Sequence, residues 1–170
     1  EAVYDAVSPT AIDYKYEYTY NTDGNLTRFS YANNATGMVM GYTNIEYLAN
    51  NNIKYTTYNA SNAITQSSLY ILSADGKNVI EMRHYSATGE LSATYLYTNF
   101  DTKKTQSILY PKGYSTSPNS ENNFQTQSYT LSNNAIPISS TYTFEYNADG
   151  YRTKRTTSTG AIETTEYFKK

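Results

Sequence analysis

The chain has 170 residues, enough for one domain with its own core, and its net charge of −2 gives no electrostatic pull toward nucleic acid or an anionic membrane. Cysteine is absent, which excludes disulfides and thiolate metal sites, and no apolar run reaches the roughly 20 residues that a membrane helix needs. Only 38% of the residues are hydrophobic but 21 are Tyr, so tyrosine is the principal core-former, burying a ring while its hydroxyl finds a polar partner.

Residues 1–12, EAVYDAVSPTAI, show no strand alternation and read as a tail or short helix; residues 13–170 read as a single β-repeat domain. In 13–20, DYKYEYTY, Tyr14, Tyr16, Tyr18 and Tyr20 fall on one face and Asp13, Lys15, Glu17 and Thr19 on the other, the pattern of a half-buried strand. After the turn NTDGN comes a strand at 25–32. The segment 37–48 follows, and its apolar residues switch from even (Met38, Met40, Tyr42) to odd (Ile45, Tyr47), a slip that one bulged residue explains. Further strands are predicted at 53–59, 63–72, 77–86, 90–98 and 103–110, separated by NASNA, SADGK, SATGE and NFDTK, whose Asn, Asp and Gly supply left-handed turn backbone. A polar loop, 111–123, has no periodicity and is expected to be the most mobile part. Strands at 124–132, 135–146, 151–158 and 161–168 complete the chain; Pro137 lacks a ladder N–H and belongs at a strand start or an unpaired edge.

The expected fold is therefore all-β, an antiparallel meander of about twelve strands. Twist accumulates over so many strands, so the sheet curls into an open sheet or incomplete barrel, or folds over as a two-layer sandwich.

The abundance of Asn, Ser, Thr and Tyr, with 16% charged residues, leans toward an exported protein, and Glu1 at the start implies that a tag, a neighbouring domain or a signal peptide once preceded it. Three Asn-x-Ser/Thr sequons, at Asn25, Asn34 and Asn59, lie in or beside turns and read as a by-product of frequent Asn and Thr.

One device occurs twice: YTYNTDGNLTRFSY near the start and FEYNADGYRTKRTT near the end, with LYILSADGKNVIEM and HYSATGELSATYLY as weaker versions. The pattern resembles the tyrosine–aspartate (YD, or Rhs-type) repeat of Tyr-Asp, two residues, Gly and a polar strand, except that Asn21 and Asn147 stand where the repeat usually has Asp. The resemblance implies a β-hairpin repeat on an exported protein of a gut anaerobe, often a lipoprotein. The chain is too short for the closed toxin shell of long Rhs arrays.

Catalytic chemistry has few candidates. His84, the one histidine, shares a face with Ile80 and Met82 and reads as the end of a core stripe. Glu17, Glu81 and Glu145 fall on polar strand faces beside Lys, Arg or Thr, without the desolvation that an acid–base pair needs. Asp23 and Asp75 fall about four strands apart, roughly 19 Å, and Asp149 is expected at the opposite end of the sheet, so these residues make turns and do not share a metal ion. In RTKR, 152–155, Arg152 and Lys154 are expected to share a solvated face. No cofactor is implied.

The reading is a non-catalytic exported or cell-surface domain with a binding or structural role toward a protein or polysaccharide. The competing reading is a carboxylate-dependent, glycoside hydrolase-like enzyme. Tyrosines that break the core-face rule, Tyr58, Tyr85 and Tyr167 on strands and Tyr114 in the loop, are the candidate ligand contacts.

Overall fold

The computed structural model describes residues 14–105 and 118–167; the expected tail at 1–12, and Tyr114, lie outside the described residues. Eleven strands form one antiparallel sheet in strict chain order, and the first and last strands do not pair with each other, so the sheet is open. They are β1 (Tyr14–Tyr20), β2 (Leu26–Asn33), β3 (Val39–Tyr47), β4 (Ile53–Asn59), β5 (Ile64–Leu72), β6 (Val79–Ser86), β7 (Leu91–Lys104), β8 (Asn122–Leu131), β9 (Asn134–Tyr146), β10 (Arg152–Thr157) and β11 (Ile162–Thr164). One 3-10 turn, Ala49–Asn51, is the sole helical element among the described residues, and no helix there is long and apolar enough to cross a membrane.

Among the described residues one strand fewer is seen than expected, the difference arising at NFDTK; residues 106–110 of the strand expected at 103–110 lie outside them. Asn99 takes φ 55° as a turn would, yet its Nδ2 donates to Thr126 Oγ1 at 3.0 Å and pairing resumes at Phe100↔Phe124. The left-handed residue is absorbed within one long strand, β7. With one hairpin fewer, the Asp149 turn falls at the same end of the sheet as those of Asp23 and Asp75, and not opposite them.

The repeated sequence device is a turn. At Asn21, Asn59, Ser86, Asn147 and Thr157 the first residue donates its N–H to the carbonyl four residues on, and its own carbonyl accepts from the residue three on. Its side-chain oxygen then accepts the N–H of the residue four on. The fourth position takes positive φ, as Gly24, Asn62, Gly89, Gly150 and Gly160. Asn, Ser and Thr all satisfy the acceptor role, so the sequence varies there while the geometry does not.

Alternation assigns the faces. Register carries one face from Tyr16 and Tyr18 through Tyr31 and Phe29, Thr43 and Ile45, Tyr55, Ser68 and Tyr70, Met82 and His84, Ala93 and Tyr95, to Tyr129 and Ile138. On β2–β5 that face is filled: Leu26, Ile45 and Tyr55 are buried, with Phe29, Ile53 and Tyr70 packed against them. Burial drives the Tyr55 hydroxyl well above its ordinary pKa. Gly41 belongs to this face, and Tyr31 lies across it.

Bulges decide which residues reach that face. The slip expected in 37–48 occurs between Val39 and Gly41, earlier than the apolar switch implies, so Tyr42 points to the other face and stacks on Tyr58 with centroids 4.7 Å apart. A second slip, at Ile80, leaves that side chain exposed and buries Val79 in its place. Pro137 sits where β9 slips against β8, on a half of β9 that has β8 as its paired neighbour and no partner from β10.

Candidate functional site

Strand β9 serves two neighbours in turn. Its first half pairs with β8 as far as Thr141, and from Tyr142 to Tyr146 it pairs with β10 instead. At the parting point, the Ser158 N–H donates to the Thr141 carbonyl at 2.8 Å and the Thr141 N–H donates to Ser158 Oγ. Beyond it, Tyr146 bridges the gap: its hydroxyl donates to Asp101 on β7 and accepts from Asn123 Nδ2 on β8. Burial first, and then the Asp101 hydrogen bond, raise the Tyr146 pKa.

A cavity of about 640 Å³ lies on the tyrosine face from Tyr70 on β5 to Arg152 and Arg155 on β10. Laid flat, those strands would spread over roughly 24 Å, so one cavity can touch them all only because the sheet curls toward this face. The apolar walls are Met82, Tyr97, Phe124 and Phe144, with Tyr97 and Phe124 rings 4.7 Å apart. Burial pushes the Tyr97 hydroxyl up to about 12. His84 lines the cavity with Nδ1 2.7 Å from Ser68 Oγ and its ring edge-on to Tyr95, and burial lowers its pKa.

One rim is the chain just before β8. Ser120 Oγ accepts the Val79 N–H, the Ser120 carbonyl accepts from Thr105 Oγ1, and Lys77 accepts the Glu121 N–H, so Pro118–Ser120 is fastened over the β5–β6 hairpin. Residues 118–123 are the described part of the loop expected at 111–123; Ser120 and Glu121 are held by these bonds, and Asn122 and Asn123 belong to β8.

The opposite rim corrects a sequence expectation. Pairing slips between Arg152 and Lys154, which turns Arg152 and Arg155 to the cavity face opposite Tyr146 and Phe144, while Lys154 goes to the other face and pairs with Glu145 at 2.7 Å. Arg152 and Lys154 therefore do not share a solvated face, and the Arg152 side chain is only 15% exposed. Glu163 on β11 receives both guanidiniums, Arg152 at 3.2 Å and Arg155 at 2.6 Å.

The tyrosines singled out from sequence lie elsewhere. Tyr58 is stacked on Tyr42, which itself lies 3.8 Å beneath the Arg28 guanidinium. Tyr85 is half-buried on β6, two strands away from Tyr58. Tyr167, beyond β11, donates its hydroxyl to the Arg152 carbonyl at 2.8 Å and packs on Tyr151. The fold does not gather these three into one patch. On the face opposite the cavity the acids carry ion pairs: Glu17 with Lys15, Glu81 with Arg83 and Glu145 with Lys154. Lys15 holds the Glu17 carboxyl below its ordinary pKa.

Neither a family model nor a curated protein matches this chain. Among solved structures it is similar to a porin-like protein from Bacteroides vulgatus ATCC 8482, at 9% identity and a TM-score of 0.47, over 86% of this chain and 90% of that one. It is also similar to a porin-like protein from Bacteroides uniformis ATCC 8492, at 11% identity and a TM-score of 0.32, over 89% and 84% of the two chains.

Proposed function

We propose that this domain is a non-catalytic binding module of an exported bacterial protein, and that its ligand enters the curled tyrosine face. The observation that carries the reading is the cavity where β9 parts from β8: aromatic walls and convergent polar groups meet there in one concave site, features by which ligand pockets are recognised. Export is supported by the low-charge, Asn/Thr/Tyr-rich composition and by the resemblance to YD-type repeats. The enzyme reading gains no support from the acids offered for it, since Glu17, Glu81 and Glu145 are each tied to a cation on the face opposite the cavity.

The test is a fluorescence titration with neutral N-phenyl-1-naphthylamine, comparing the wild type with Phe124→Ala. Loss of the ring's stacking surface should weaken binding about tenfold, the effect of about 1–3 kcal/mol per stacked ring. Equal affinity in the two proteins would remove the cavity from the ligand's path. Turnover of a glycan panel that is abolished by Gln at Glu17, Glu81 or Glu145 would establish the enzyme reading instead.

A further inference from the structure

The cavity's charge says what kind of ligand it takes. Among the described lining residues there are two arginines and neither Asp nor Glu, in a chain whose net charge is −2. Among the described residues, the one carboxylate that reaches the pair is Glu163, from β11. Two guanidiniums thus share this one carboxylate. Asp101, on β7, is engaged by the Tyr146 hydroxyl and by the Asn123 side-chain amide and N–H.

Two buried polar atoms of lining residues also lack a protein partner. They are Arg155 Nε, a donor, and Asn123 Oδ1, an acceptor on a side chain only 2% exposed. Leaving such atoms unpaired costs free energy that a ligand can recover. The Arg155 guanidinium lies 5.3 Å over the Tyr142 ring, and that of Arg152 lies 5.8 Å from the Phe144 centroid, so the charged groups sit directly beside the apolar walls.

We propose, building on the binding role above, that the cavity takes an anionic ring compound. Its ring lies against Tyr97, Phe124 and Phe144, its charged oxygens accept from Arg155, and a hydroxyl or amine donates to Asn123 Oδ1. An aromatic carboxylate and an acidic sugar share this chemistry. Glu163 is then an internal competitor that holds the arginines until a ligand anion displaces it.

Paired fluorescent probes test the proposal: anionic 8-anilinonaphthalene-1-sulfonate and neutral N-phenyl-1-naphthylamine, titrated at low and high ionic strength. Arg155→Gln should weaken the anionic probe about tenfold, the size of a lost charge-assisted hydrogen bond, and leave the neutral one unchanged. Glu163→Gln should act in the opposite direction and tighten the anionic probe while leaving the neutral one unchanged, whereas partial unfolding, which exposes apolar surface, would raise the binding of both. Salt should weaken the anionic probe alone. If both probes bind but their affinity ratio is the same in wild type, Arg155→Gln and Glu163→Gln, the charge assignment is overturned while the binding role stands. If neither probe binds the wild type, or Phe124→Ala leaves neutral-probe binding unchanged, the binding role itself falls. Benzoate and glucuronate as competitors then separate the two ligand sources.

Discussion

Substituting Gly41 by Ala tests how tightly the filled half of the tyrosine face is built. In a strand this change ordinarily helps by a few tenths to one kcal/mol, because the unfolded chain loses freedom. Here an added Cβ would stand 2.9 Å from the Tyr58 carbonyl oxygen and 2.9 Å from the Tyr31 hydroxyl, with Tyr31 Cε1 at 3.0 Å. The carbonyl belongs to the paired β4 backbone and cannot swing aside, and Gly41 is buried opposite Tyr31. Overpacking of this kind costs about 1–3 kcal/mol, so the net expectation is a loss of about 1–2 kcal/mol after the entropic gain. For a domain of this size that lowers the thermal midpoint by roughly 3–6 °C. Thermal and urea denaturation followed by circular dichroism measure it. The double change Tyr31→Ala with Gly41→Ala apportions the clash: partial recovery assigns it to the ring, and no recovery assigns it to the Tyr58 carbonyl. A Gly41→Ala protein as stable as the wild type, or more so, would refute the close-packing argument.

The turn at Asn147 should lose about 1 kcal/mol in Asn147→Ala, the worth of a side-chain-to-backbone hydrogen bond, and keep its stability in Asn147→Asp; equal midpoints for all three proteins would deny the side chain its role. Tyr58→Ala should lower stability by at least about 1 kcal/mol, because the ring stacks on Tyr42; an unchanged midpoint together with weakened binding to a glycan or protein would return Tyr58 to a ligand-contact role. His84 is held neutral by burial, with its folded pKa below the ordinary value of about 6.5. The unfolded chain thus takes up this proton first: stability is full above about pH 6.5 and declines as pH falls toward the folded pKa. Subtracting the pH–stability curve of His84→Gln should isolate that decline, and curves that run parallel between pH 7 and 5 would contradict it.

Much of the fold is legible in the sequence because its determinants are local. Tyrosine alternation marks β1, the Asn-x-x-Gly turns mark hairpin ends, and Ile80-Met82-His84 marks the cavity face of β6 apart from the bulge that exchanges Ile80 for Val79. The site is less legible because it depends on pairing between elements. Nothing within RTKR announces that Arg152 and Arg155 share a face; the slip at Thr153 appears only when β10 is set against β9. Likewise Tyr58 stands on the face opposite the core, as alternation indicates, but its partner Tyr42 joins it there through a bulge two residues earlier on β3. The cavity requires a further step still, the curl of six strands and the change of partner along β9, which no stretch of sequence contains by itself.

The strict chain order of the strands also governs how the domain is assembled. Each strand finds its neighbour across a turn of a few residues in nearly every case, so the loop-closure entropy of each pairing step is small. A sandwich with as many strands must bring distant segments together before any of them is rewarded, and folds slowly for that reason. This sheet can grow by adding one hairpin at a time, with the link between Thr105 and Glu121 as the one long closure. The same geometry suits descent by duplication. A hairpin gained or lost at either end leaves every other pairing intact, and a lineage can change the width of the sheet without rebuilding its interior.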